Sequence, residues 1–141
     1  MTGTPFSYTF FSTMPAGTQI APHYGPCNLK LRLHLPLFVP RVKDEKLVVS
    51  STNVPPLYLR VADQVHTWQE GQLVIFDDTY EHEAGNMVAL SDLADPNPQS
   101  SRGPPATDRV VLLIDIWHPE LSEGEIEAIK EMFRKMDEMI R

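Results

Sequence analysis

From Asn28 to Leu37 the chain alternates without a break. Leu29, Leu31, Leu33, Leu35 and Leu37 take one parity, and Asn28, Lys30, Arg32, His34 and Pro36 take the other. Successive side chains of an extended backbone point to opposite faces, so the pattern predicts a strand with one apolar and one polar face. Other strands follow from shorter runs. Leu57 to Val65 carries Tyr58 and β-branched Val61 and Val65, and Gln72 to Phe76 lies between Gly71 and the turn-forming Asp77-Asp78. Val110 to Trp117 is the most apolar run and reads as a central strand buried on both sides. Ser7 to Ser12, rich in aromatics and hydroxyls, is a weaker strand candidate.

After His118-Pro119 the period changes. Ser122 can cap a helix whose first turn holds Glu123 and Glu125, which suits the helix dipole. Ile126, Ile129, Phe133, Met136 and Ile140 then recur at spacings of three and four, predicting an amphipathic helix over about 122–140 that packs on the sheet or forms a dimer contact. Two stretches read as loop: part of Val39 to Pro56, and an insertion at about 84–108 rich in Gly, Asn, Ser, Asp and Pro. Short strands, intervening turns and a terminal helix imply a mainly β chain, an antiparallel sandwich or barrel. The jelly roll is the small version that keeps a ligand cavity between its sheets.

With 141 residues the expectation is one domain, 1–141, able to fold without a metal or disulfide staple. The formal charge of −7 argues against a broad nucleic-acid or anionic-lipid footprint. A lone cysteine, Cys27, leaves no internal disulfide, and neither a signal peptide nor a membrane span is visible, so the expected location is cytoplasmic.

Five histidines occur, and two sit in suggestive places. His23 lies at the entry to the strand carrying Arg32 and His34, and His82 lies just beyond another strand, in Phe-Asp-Asp-Thr-Tyr-Glu-His-Glu. Two neutral imidazoles from neighbouring strands suit Fe(II), Zn(II) or Cu(II). Non-haem iron oxygenases commonly add a carboxylate two positions after the first histidine, but that position is Gly25. Either water fills the place, or Asp77, Asp78, Glu81 or Glu83 supplies the ligand. Arg32 and His34 share the polar parity of their strand, facing either solvent or the mouth of a barrel. Arg109 opens the most apolar strand, where an inward guanidinium needs an anion. Two arginines beside two histidines suggest a metal site that also holds a small dicarboxylate.

These residues resemble a known family, the aspartyl/asparaginyl β-hydroxylases, iron- and 2-oxoglutarate-dependent oxygenases on a double-stranded β-helix (jelly-roll) fold. The matching blocks are Phe11-Ser12-Thr13-Met14, Pro22-His23-Tyr24-Gly25-Pro26-Cys27-Asn28, Leu31-Arg32-Leu33-His34-Leu35, Trp68-Gln69-Glu70-Gly71, Phe76 through Glu83, and Arg109 running into Asp115-Ile116-Trp117-His118-Pro119. The resemblance implies that His23 and His82 bind Fe(II), and that the missing carboxylate at Gly25 is a family trait. It implies that Ser12, Arg32, His34 and Arg109 contact 2-oxoglutarate, Arg109 and Ser12 at its distal carboxylate. Asp77, Asp78, Trp117 and His118 are assigned to turns and strand ends. The implied reaction uses O2 and 2-oxoglutarate, releases succinate and carbon dioxide, and hydroxylates an aspartyl or asparaginyl residue, or a related protein, peptide or small-molecule substrate. The runner-up is a non-catalytic jelly roll that binds metal and 2-oxoglutarate.

Overall fold

The structure, a computed structural model, describes residues 5–44, 48–49, 54–94 and 103–140. Its strands are β1 (Thr9–Met14), β2 (Thr18–His23), β3 (Lys30–Phe38), β4 (Leu57–Val61), β5 (Gln64–His66), β6 (Val74–Phe76), β7 (His82–Asn86) and β8 (Arg109–Trp117), followed by helix α1 (Glu123–Ile140). They form two four-stranded antiparallel sheets, one ordered β1-β8-β3-β6 and the other β2-β7-β4-β5. The mainly β class with a C-terminal helix is therefore as expected. Between the sheets lies a core of Met14, Leu57, Leu59, Trp68, Phe76, Ala84, Val88, Leu93 and Val111.

The alternating segment is β3, and of the two facings open to its polar parity the structure takes the inward one. Lys30, His34 and Pro36 are buried between the sheets, whereas Leu31, Leu33 and Leu35 are only half-buried and Leu37 is exposed. The register explains why. Arg32 pairs with Asp115 and Phe76, and His34 with Leu113 and Val74, so the polar parity of β3 shares the inward face of β8 and β6. The leucines share the outer face with Ile75 and Ile116, which are 53% and 37% exposed. Strand β8 is central, between β1 and β3, but it is not buried evenly on both sides: Val111, Leu113 and Asp115 are buried, while Leu112 and Ile114 are half-buried.

Three further expectations change. Leu57 to Val65 is not one strand but the hairpin β4–β5, turned at Ala62 with φ of 51°. The Arg60 guanidinium donates to the Ala62 carbonyl across that turn at 2.6 Å, which helps to hold a conformation unusual for a residue with a Cβ. The expected loop at 84–108 begins as strand β7, and a single 3-10 turn follows at Leu90–Asp92. Its Pro-rich middle, 95–102, lies outside the described residues. Asn86, fully buried, closes β7 by donating to the carbonyls of Met14 and Thr107 at 2.8 and 2.7 Å. Strand β2 had no alternation to reveal it and is largely exposed.

Helix α1 starts as expected. The Glu125 carboxylate accepts from the Ser122 N–H and hydroxyl at 2.8 and 2.7 Å, and Ser122 Oγ accepts from the Glu125 N–H at 3.3 Å, a reciprocal cap. Phe6 links the helix to the sheet, its ring 5.2 Å from Trp117 and 5.6 Å from Phe133. The stripe is only partly used: Ile126, Ile129 and Phe133 are half-buried, while Met136 and Ile140 are 48% and 80% exposed. Among the described residues, no helix is long and apolar enough to cross a membrane.

The contrast between core and outer face can be tested by urea denaturation. Leu59, 2% exposed, should lose about 2–4 kcal/mol of unfolding free energy on Leu59→Ala. Ile75→Ala, on the outer face, should cost less than about 1 kcal/mol.

Candidate metal and anion site

His23 ends β2 and His82 begins β7, and the two are register partners with ring centroids 4.1 Å apart. Both rings are held the same way. His23 Nδ1 lies 2.8 Å from the Ala21 carbonyl and His82 Nδ1 lies 2.9 Å from that of Tyr80. A carbonyl only accepts, so each Nδ1 carries the proton and each Nε2 keeps its lone pair for a metal. Alternation on β7 sends the neighbouring carboxylates elsewhere: Arg60 pairs with Glu81 at 3.1 Å and Glu83 at 2.9 Å. Burial pushes the His82 pKa down, only partly offset by its bond to Tyr80, and this favours the neutral ligand form.

The carboxylate question is decided by packing. Asp77 is spent on its own turn, accepting from the Thr79 N–H and hydroxyl at 2.9 and 2.7 Å. Asp78 lies against Gly25, whose N–H donates to the Asp78 carbonyl. A Cβ at residue 25 would sit 2.5 Å from the Asp78 carboxyl carbon, so the position admits only glycine while Asp78 stays in place. Among the described residues, no group of three or more His, Cys, Asp and Glu side chains is arranged to hold a metal. The protein donor set is the histidine pair, which fits a metal that keeps several positions open to water and small ligands.

Behind this pair is a buried ionic quartet. Lys30 and Asp78 form an ion pair at 1% and 0% exposure, and Lys30 also lies 3.6 Å from Asp115. Arg32 grips Asp115 with two parallel bonds, Nε to Oδ1 at 2.9 Å and Nη2 to Oδ2 at 3.1 Å, and approaches Asp78 at 3.4 Å. Burial would raise the Asp115 pKa, but Arg32 and Lys30 hold it below the ordinary carboxylate range. Asp78 Oδ1, beside Gly25, has no hydrogen-bond partner.

From His82 an aromatic file leads inward. Phe76 lies edge-on to both His82 and His34, at 5.5 and 5.2 Å. His34 Nδ1 accepts from the Trp68 indole N–H at 3.3 Å, and the Arg109 guanidinium lies 4.6 Å from the Trp68 ring centre. Arg109 is 2% exposed, and its Nε and Nη1 have no hydrogen-bond partner. Among the described residues no carboxylate lies within ion-pair distance of it. Burial pushes its pKa down to about 10, so the group stays cationic at neutral pH. Ser12, half-buried, pairs with Val111 and so shares the inward face of Arg109.

The structure thus buries His82, His34 and Arg109, sets His23 at the exposed end of β2 against the His82 ring, and puts Ser12 on the same face as Arg109, two residues along β1 from Arg109's partner Met14. Arg32 lies there too, but its charge is already matched by Asp115 and Asp78. Asp77 and His118 do serve turns, with His118 Nδ1 accepting from the Glu120 N–H at 3.3 Å. Asp78 does more than shape a turn, and Lys30 was missed altogether. A lysine on the same parity as Arg32 and His34 was the available signal.

Two predictions follow from this electrostatics. A buried cation without a carboxylate partner is costly, so Arg109→Met should raise the stability of the ligand-free protein by about 1–3 kcal/mol in urea denaturation. His34 is held neutral, its pKa pushed from 6.5 to about 3 by burial and the charges of Arg109 and Arg32. The unfolded ring therefore takes up a proton more readily, and the stability present above about pH 6.5 is lost as pH falls toward 3, at up to about 1.4 kcal/mol per unit. His34→Asn should flatten the dependence of melting temperature on pH across that window.

Comparison with known proteins places the chain in a family. A family model described as aspartyl/asparaginyl beta-hydroxylase matches residues 1–119. The aspartyl/asparaginyl beta-hydroxylase of Mus musculus is 31% identical over 119 residues, 84% of this chain and 12% of that protein. The aspartate beta-hydroxylase domain-containing protein 2 of Mus musculus is 30% identical over 128 residues, 91% of this chain and 29% of the relative. The ornithine lipid ester-linked acyl 2-hydroxylase of Rhizobium tropici is 46% identical over 131 residues, 89% of this chain and 41% of the relative. The chain spans less than half the length of each of these relatives. With a family match over most of its length and hydroxylases among its relatives, the chain belongs to the aspartyl/asparaginyl beta-hydroxylase family.

Proposed function

We propose that this chain is an Fe(II)- and 2-oxoglutarate-dependent dioxygenase that hydroxylates an aspartyl or asparaginyl residue or a related substrate. The observation that carries the reading is Arg109, a buried cation with no carboxylate partner among the described residues, joined through Trp68, His34 and Phe76 to the histidine pair. A hydrocarbon side chain would be cheaper there unless a ligand supplies the missing charge. A planar guanidinium with free N–H edges suits a carboxylate, and a dicarboxylate can reach the metal with its other end.

His23 and His82 hold iron through Nε2, and their carbonyl-bound Nδ1 atoms keep both rings from turning away. Arg109, with Ser12 on the same face, takes the distal carboxylate of 2-oxoglutarate. His34 stays neutral and serves as a hydrogen-bond donor near the same ligand, while Arg32 contributes positive potential from its place in the quartet. Met14, Trp68, Phe76 and Val111 close the interior against water. Bound iron and 2-oxoglutarate together supply the oxidation, in which O2 and the 2-oxo acid give succinate, carbon dioxide and one hydroxylated C–H bond.

Two relatives' names supply the substrates to try, an aspartyl or asparaginyl peptide and the ester-linked acyl chain of an ornithine lipid. With Fe(II), 2-oxoglutarate and O2, the correct substrate should yield succinate in step with a product heavier by one oxygen. His82→Ala should reduce turnover by more than the roughly 10- to 100-fold loss that follows disturbance of groups behind a metal ligand. Tight binding of 2-oxoglutarate without succinate formation under any condition would replace this reading by the non-catalytic binding module.

A further inference from the structure

Trp68 is named by neither the metal pair nor the anion contacts, yet it touches both polar groups that the proposed 2-oxo acid needs. Its indole N–H donates to His34 Nδ1 at 3.3 Å, and the Arg109 guanidinium carbon sits over its ring, 4.6 Å from the centre. The side chain is 3% exposed. It lies on the link between β5 and β6, whose course is fixed by a Gly71 N–H bond to the Pro36 carbonyl at 2.9 Å. Gly71 adopts φ of 76°, the left-handed region open to glycine, and the Gln72 N–H closes the turn on the Gln69 carbonyl at 3.0 Å. The loop therefore presents Trp68 to the interior from a backbone tied to β3.

An indole nitrogen can only donate, so the atom facing it must accept. A neutral imidazole holds one proton. With Nδ1 accepting, that proton resides on Nε2, at the far side of the ring from Trp68. The opposite tautomer would set two N–H groups against each other in a buried place and leave both without an acceptor. Arg109 is constrained by the same side chain. With its central carbon over the indole, the guanidinium has Nε and Nη1 without partners, one on each of its two N–H edges and both free to donate to a ligand.

We propose that Trp68 is a positioning residue that fixes His34 as the Nε2–H tautomer and braces the Arg109 guanidinium, so that a donor and a cation face one carboxylate ligand together. This rests on the 2-oxo acid reading given above for its ligand, but the tautomer belongs to the protein alone.

The test begins with long-range 1H–15N correlation spectra of the imidazole rings in the ligand-free wild type, where His34 should show a protonated Nε2 and an unprotonated Nδ1. Trp68→Phe retains a ring for Arg109 and removes the N–H. It should lose the single tautomer and weaken binding of 2-oxoglutarate with Mn(II), measured by calorimetry, by roughly 5- to 10-fold. Trp68→Leu removes both contacts and should weaken binding further. A protonated Nδ1 in wild-type His34 would overturn the proposal, as would a Trp68→Phe protein with unchanged tautomer and affinity. The wild-type spectrum needs no substitution, so a variant that fails to fold does not shield the assignment. A wild type with the expected tautomer but no affinity for 2-oxoglutarate would sink the dioxygenase reading and the ligand-facing role, while the Trp68–His34 bond stood.

Discussion

The quartet of Lys30, Arg32, Asp78 and Asp115 ties two strands of one sheet to the turn that leads into the other. Its members come from β3, β8 and the turn between β6 and β7, and three of the four are at most 1% exposed. Such a cluster adds little net stability, because removing charges from water offsets most of their attraction, but losing one member strands its partner. What it contributes here is placement. With those charges inside, the leucines of β3 must face outward. Asp78, held by Lys30, lies against Gly25 two residues beyond His23 and four before His82. The same contacts therefore seat Asp78 against the segment that follows His23, in the turn that precedes His82.

Charge balance then separates structure from ligand binding. Inside the quartet two cations meet two carboxylates. Arg109 stands outside that balance, its guanidinium against an indole and two of its nitrogens unpartnered. Arg32 and Arg109 look alike in sequence, as arginines on strands of one sheet, yet one is internally neutralised and the other is not. For a small anionic ligand the difference is decisive, since an arginine already in a two-pronged bond to Asp115 has little left to offer.

Much of this was legible in the chain. The alternation at Asn28–Leu37 marked a strand, Val110–Trp117 marked the central one, and Ser122 with its acidic first turn marked the helix start. The family blocks pointed to His23, His82, His34 and Arg109, of which the last three are buried and His23, at the exposed end of β2, lies against His82. The facing of β3 was not legible, because apolar residues are assigned to interiors by default, and here the interior must accommodate charge. Pairings such as Lys30 with Asp78 and Arg32 with Asp115, across 48 and 83 residues, have no local signature. Strand β7 was hidden by its composition, His-Glu-Ala-Gly-Asn, which reads as loop but pairs on both sides with β2 and β4.

Gly85 shows why that composition is required. A Cβ there would lie 2.5 Å from the Tyr58 ring, so the residue is small because a buried tyrosine crosses the strand, not because the chain turns. Gly25 is constrained in the same manner by Asp78, and neither glycine has a positive φ. Both are consequences of close packing and not of backbone freedom. At Gly25 that distinction bears on chemistry. No carboxylate side chain fits at that position while Asp78 occupies the space, so its absence is built into the packing between the turn before His82 and the segment after His23. Glycine at residue 25 and the buried quartet are thus one arrangement: the carboxylate that neutralises Lys30 is the one that excludes a side chain from residue 25.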